Sequence, residues 1–131
     1  QILTKFRAGQ EALIDGDCEA AEDLKSEIVN LMKVPLVQGM LRYAYRADPN
    51  AGFADAGAKE WAEGWAFTAA ILPWVDEASS KTADLLVRNF GLQQDSPMQD
   101  GYREIFSAMD GIYSDMGIDS GDVGTLTEAV E

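Results

Sequence analysis

From Met98 onward, apolar side chains return at every third or fourth position: Met98, Tyr102, Ile105, Phe106, Met109, Ile112, Tyr113 and Met116. That spacing lines one face of a helix, whereas a half-buried strand would alternate at every second residue. The same step recurs in Ala21, Leu24, Ile28, Leu31 and Met32, and again in Val75, Ala78, Thr82, Leu85, Leu86, Asn89 and Phe90. Strand alternation is almost missing. The chain therefore reads as all-α, a compact bundle of about five to six helices forming one domain over residues 1–131. A chain of this length buries roughly two-thirds of the surface its unfolded form exposes, so a core holds without disulfides or a structural metal.

Local signals place the boundaries. Gly16-Asp17 breaks the chain and N-caps a helix over residues 17–32, and Ile2, Phe6, Leu13 and Ile14 mark the end of a helix before it. Pro35 suits either the first turn of a new helix reaching Ala47 or a kinked continuation of the old one. A further helix is predicted over residues 55–72, with Pro73 kinking or restarting it. Gly91 suits the end of the stripe that begins at Val75. Ser96-Pro97-Met98-Gln99 reads as a capping box and is the strongest helix start in the chain; Gly117 closes that helix. A short last helix is expected over residues 122–130.

Composition removes whole classes of function. With 10 Lys plus Arg against 23 Asp plus Glu the formal charge is −13, which repels a phosphate backbone and argues against nucleic acid. His is absent, so Ser-His-Asp and Cys-His nucleophile systems and imidazole zinc sites are excluded. A lone cysteine, Cys18, permits no internal disulfide and reads as a small packed residue near a helix start. The longest apolar run, residues 65–75, is interrupted by Thr68 and Pro73 and falls short of the ~20 residues that a spanning helix needs. No transmembrane segment is expected. The EF-hand pattern fails at Asp15-Gly16-Asp17, because its sixth position is Ala20 and its twelfth is Ser26.

Chemistry can gather in one place. Along residues 55–72 nearly the whole helical circumference is apolar, with Trp61, Ala62, Trp65, Ala66, Ala69 and Leu72 on one side and Phe67, Ala70 and Ile71 on the other. Burial on most sides is expected. Glu60 and Glu63 share the face of Phe67 and Ile71, so either both snorkel at the solvated margin or at least one carboxylate is carried inward, where it must be paired, hydrogen-bonded, protonated or bound to a cation. In the preceding helix Arg42 and Arg46 lie four apart on the face of Gln38, flanked by Tyr43 and Tyr45. Two guanidinium groups on neighbouring turns either pair with Glu60 and Glu63 or grip a small oxyanion. No catalytic residue is assigned. Glu60 and Glu63 are a poor acid/base pair because both stand on one element with nothing opposite.

Three segments carry a resemblance. Residues 36–45 (Leu-Val-Gln-Gly-Met-Leu-Arg-Tyr-Ala-Tyr), residues 62–73 (Ala-Glu-Gly-Trp-Ala-Phe-Thr-Ala-Ala-Ile-Leu-Pro) and Asp122-Val123-Gly124 resemble, in order and spacing, the algal iron-assimilating, low-iron-inducible periplasmic proteins grouped with the phytotransferrins. Family members repeat this kind of module, so the resemblance implies either one module of a longer protein or a trimmed chain. It implies an extracytoplasmic protein, periplasmic or secreted, that captures ferric iron together with carbonate for uptake. Tyr43, Tyr45, Glu60 and Glu63 are then the candidate metal ligands, and Arg42 and Arg46 the anion clamp. Ferric iron is a hard ion suited to phenolate and carboxylate oxygens. The rival expectation is a non-catalytic extrinsic subunit of a larger algal assembly, such as a photosynthetic membrane complex on its lumenal side. Trp61, Trp65 and Trp74 would be its docking surface if exposed.

Overall fold

A computed structural model describes residues 1–51 and 57–126. Within them the chain forms helices and turns with no strand: α1 (Ile2–Ile14), α2 (Cys18–Ala47), a 3₁₀ turn (Pro49–Ala51), α3 (Ala58–Ala78), α4 (Ser80–Phe90), α5 (Tyr102–Asp110) and the short α6 (Ser120–Val123). The all-α expectation holds. The expected starts near residue 55 and ends beyond 126 lie outside the described residues.

The longest helix, α2, organises the rest. Asp17 caps it as the sequence predicts, its carboxylate accepting from the Ala20 amide at 3.0 Å. Of the two readings of Pro35, continuation is the one observed, since α2 runs through it. The first half of α2 packs against α1, with Gly9 facing Leu24 and Lys5 paired with Glu27. The second half packs against α3 and contributes Val37, Met40, Leu41, Ala44 and Ala47 to the core. Two glycines let α2 and α3 approach closely. A Cβ at Gly39 would stand 2.6 Å from the Phe67 ring, and one at Gly64 2.5 Å from the Phe90 ring and 3.0 Å from the Tyr43 Cβ. Ile71, Val75, Leu86, Phe90, Ile105 and Met109 complete the buried centre. Thr68 Oγ1 is the one buried side-chain polar atom among the described residues without a hydrogen-bond partner.

Several local expectations give way to tertiary forces. The break near Pro73 falls instead at Ser79, where extended backbone and a side chain accepting from the Thr82 amide begin α4; Pro73 sits on an exposed face within α3. The Ser96 capping box forms no helix. Gln99 points its amide at the Ser96 carbonyl, and α5 starts only at Tyr102, whose amide is received by Asp48 Oδ2 at 2.9 Å from across the fold. Asn89 does the same for the approach: its Oδ1 accepts from the Asp100 amide at 2.9 Å and its backbone carbonyl from the Met98 amide at 3.0 Å. These buried acceptors outcompete a solvated Ser cap, and they hold Met98 at φ 51, a strained angle for a residue with a side chain. The stripe Ile112, Tyr113 and Met116 is buried as its spacing implies, yet α5 stops at Asp110 and those residues pass in turns closed by Gly117 at φ 69.

The last correction concerns α3. Its buried residues are Gly64, Thr68, Ile71 and Val75, one narrow stripe, while Ala62, Ala66, Ala69 and Ala70 face solvent. Alanine suits a helix interior whether or not it is covered, so an alanine-rich circumference says little about burial. Cys18 likewise opens α2 as predicted but is exposed instead of packed.

Candidate functional site

The close crossing of α2 and α3 decides what meets at their interface. With Phe67 seated over Gly39, the Tyr43 ring stacks on Phe67 at 5.8 Å between centroids, and its hydroxyl lies within the influence of the Glu63 carboxylate. The pull of that carboxylate on the phenol proton is the main reason the Tyr43 phenol is held above its ordinary pKa. Burial and the Glu63 charge add to it, and the Arg42 and Arg46 guanidinium groups work against it. The charges of Glu63, Arg42 and Arg46 are thus all felt at the Tyr43 hydroxyl.

The other two candidates are placed differently. Tyr45 lies about 200° around α2 from Tyr43. Its ring meets Tyr102 edge-on at 4.9 Å, and Tyr102 in turn meets Phe106 at 5.3 Å, an aromatic ladder that ties α2 to α5. Glu60 stands half-buried in the first turn of α3, and it is not among the groups acting on the Tyr43 hydroxyl. Among the described residues no three Asp, Glu, Cys or His side chains gather as metal ligands do. The oxygens drawn together are one phenol and one carboxylate.

Gln38, on the face of Arg42, reaches the third segment. Its Nε2 donates to the Val123 carbonyl at 2.9 Å and to the Asp122 carbonyl at 3.3 Å. Arg42 and Gln38 then line a groove of about 320 Å³ with Val123 and Gly124. The three segments of the resemblance thus converge on the second half of α2. No local signal in the sequence could have shown that Asp122 and Val123 would return to Gln38, since the link is a backbone contact across 85 residues.

None of the three tryptophans is exposed; each is half-buried. Trp61 Nε1 donates to the Phe90 carbonyl at 2.7 Å, Trp74 lies under the Lys33 ammonium at 5.6 Å, and Trp65 packs against the core. A different apolar surface went unnoticed in the sequence. A groove of about 670 Å³ runs between α1 and the first half of α2, lined by Phe6, Leu13, Leu24, Ile28 and Met32. Its signal was present, because Phe6, Leu13 and Ile14 crowd onto a helix too short to hide them.

Comparison with protein-family models, curated proteins and solved structures finds no match to this chain. The likeness to the iron-assimilating proteins rests on the three motifs alone. No described helix is long and apolar enough to cross a membrane.

Proposed function

We propose that this chain takes part in extracytoplasmic capture of ferric iron, with Tyr43 and Glu63 as its hard-oxygen ligands. The observation that carries this reading is the nearness of the Tyr43 phenol to the Glu63 carboxylate at the close α2–α3 crossing, with the charges of Arg42 and Arg46 acting on the same hydroxyl. A phenol and a carboxylate this near can share a small, highly charged cation once the phenol proton leaves. Two guanidinium groups alongside supply the countercharge for a carbonate held with the metal. Tyr45 and Glu60 drop out of the ligand set. One phenolate and one carboxylate do not fill the shell of a ferric ion, so carbonate and further oxygen donors supply the rest.

Because the proton on Tyr43 is held tightly, metal binding must displace it, and affinity rises with pH as one proton is released per ion bound. Titration with a ferric salt in bicarbonate buffer tests the reading. A visible phenolate-to-iron charge-transfer band is expected, lost in Tyr43→Phe and weakened at least tenfold in affinity by Glu63→Gln, with helix content unchanged. No band and no heat of binding would end the proposal.

The rival reading, a non-catalytic subunit of a larger assembly, draws on one observation of its own: the uncovered apolar groove between α1 and α2. Co-purification with a stoichiometric partner and no iron by elemental analysis would favour it.

A further inference from the structure

No residue of α1 is buried. Leu3, Phe6, Leu13 and Ile14 are 65, 56, 65 and 75% exposed, and Met32 of α2 beside them is 55% exposed. The apolar side of a helix is where its stabilisation in a protein normally comes from. At roughly 60–120 Å² for each side chain, Phe6, Leu13, Ile14 and Met32 line one groove and together present an apolar patch of a few hundred Å², the scale on which interaction surfaces occur.

Charge on this hairpin is sorted along its length. Residues 8–24, around the α1–α2 turn, carry Glu11, Asp15, Asp17, Glu19, Glu22 and Asp23 and no cation. The opposite half, residues 1–7 and 25–33, carries Lys5, Arg7, Lys25 and Lys33 against Glu27 alone. Lys33 is buried against Met116 and Trp74, which leaves Lys5, Arg7 and Lys25 as the cations at the end of the hairpin away from the turn, while the turn end carries acids alone. Such a face is complementary to itself when turned end for end. We propose that it is the interface of a homodimer, in which a second copy lays its α1–α2 hairpin antiparallel across the first to form a four-helix arrangement with two-fold symmetry. A parallel pairing would set six carboxylates against six. The antiparallel one sets each acidic half over a basic half.

The level at which Gly9 faces Leu24 marks the middle of the hairpin, and Cys18 lies six residues from Leu24 toward the turn. At 1.5 Å per residue the two Cys18 thiols of an antiparallel pair stand about 18 Å apart along the axis, while Cys18 of one copy falls level with Leu3 of the other. Cys18 is exposed and free to report this.

Sedimentation equilibrium of the 131-residue chain from low micromolar to submillimolar concentration is the test. A dimer is expected for the wild type and a monomer of unchanged helix content for Phe6→Glu/Leu13→Glu, both positions being exposed. Lys5→Glu/Arg7→Glu raises the dissociation constant about tenfold or more, and adding Glu19→Lys/Asp23→Lys recovers it. Under mild oxidation Leu3→Cys gives covalent dimers through Cys18, and the wild type does not. A wild type that stays monomeric throughout overturns the proposal and leaves the groove to another partner; a Phe6→Glu/Leu13→Glu dimer moves the interface elsewhere. Rapid Cys18–Cys18 bridging in the wild type overturns the antiparallel sense. None of these measurements depends on iron.

Discussion

The two halves of α2 share one helix and one kind of sequence pattern, yet they live in different surroundings. Beyond Pro35 the apolar stripe of Val37, Met40, Leu41, Ala44 and Ala47 vanishes between α3, α4 and α5. Before it, Ile28 is the one apolar side chain of α2 that is buried, and α1 adds none. Periodicity therefore reports that a face is apolar, and only the third dimension reports whether anything covers it. The iron-site candidates stand in the covered half, where close packing fixes one rotation of α2 against α3. The groove stands in the other half, on the side that only α1 flanks, while Asn30 and Lys33 on the opposite side meet Gly117, the Met116 carbonyl and Trp74.

The sharpest way to break this contrast is to empty the covered half. Phe90 is fully buried against Gly64 and under the Trp61 indole that donates to its carbonyl. Phe90→Ala is expected to cost about 3–5 kcal/mol in urea unfolding, because the cavity adjoins the rigid α2–α3 crossing and cannot collapse. A loss below about 1 kcal/mol would show that this side of the molecule is no better packed than the hairpin.

The next effect is polar. Asn89 is fully buried, with its amide donating to the Leu85 carbonyl and the Asp100 carboxylate, both at 2.8 Å, and its Oδ1 accepting from the Asp100 amide. Asn89→Ala is expected to cost about 1–3 kcal/mol and to loosen residues 91–101 to proteolysis. It also changes the response to acid. Arg88 first, and Asn89 after it, hold the Asp100 carboxyl below its ordinary range, so this contribution is present above the unfolded value of about 4 and lost as pH falls through the lower folded one. Wild-type unfolding midpoints should fall below pH ~4, and the Asn89→Ala curve should be flatter there. Parallel curves would remove Asn89 from the acid response.

What could be read in the sequence follows the same division. Helix faces, the Asp17 cap and the burial of Ile105, Met109, Ile112 and Met116 depend on neighbours within a turn or two, and all were legible. The start of α5 was not, because its cap is Asp48, brought from 54 residues away. The same holds at the site. Tyr43 and Glu63 were both visible as candidates, but separating Tyr43 from Tyr45 required knowing which side of α2 meets α3, and that is set by Phe67 over Gly39 and Phe90 over Gly64. A glycine on a helix face is silent about which ring will fill its place.

The smallest effect lies in the hairpin. Phe6 is 56% exposed, so Phe6→Ala in the isolated chain removes contact with the groove wall and little else. At dilute concentration it is expected to change unfolding free energy by under about 0.5 kcal/mol, an order of magnitude less than Phe90→Ala although both replace one phenyl ring. At high concentration the two readings of the groove part company. A surface occupied by a second copy makes the wild-type Tm rise with protein concentration, because the dimer is the species that must come apart before it unfolds, and Phe6→Ala flattens that rise. A wild-type Tm independent of concentration, joined to an unchanged Phe6→Ala value, would leave α1 as a helix held by Lys5–Glu27 and its contacts with α2 alone. The covered and uncovered halves of α2 would then differ in packing and in nothing that the molecule uses.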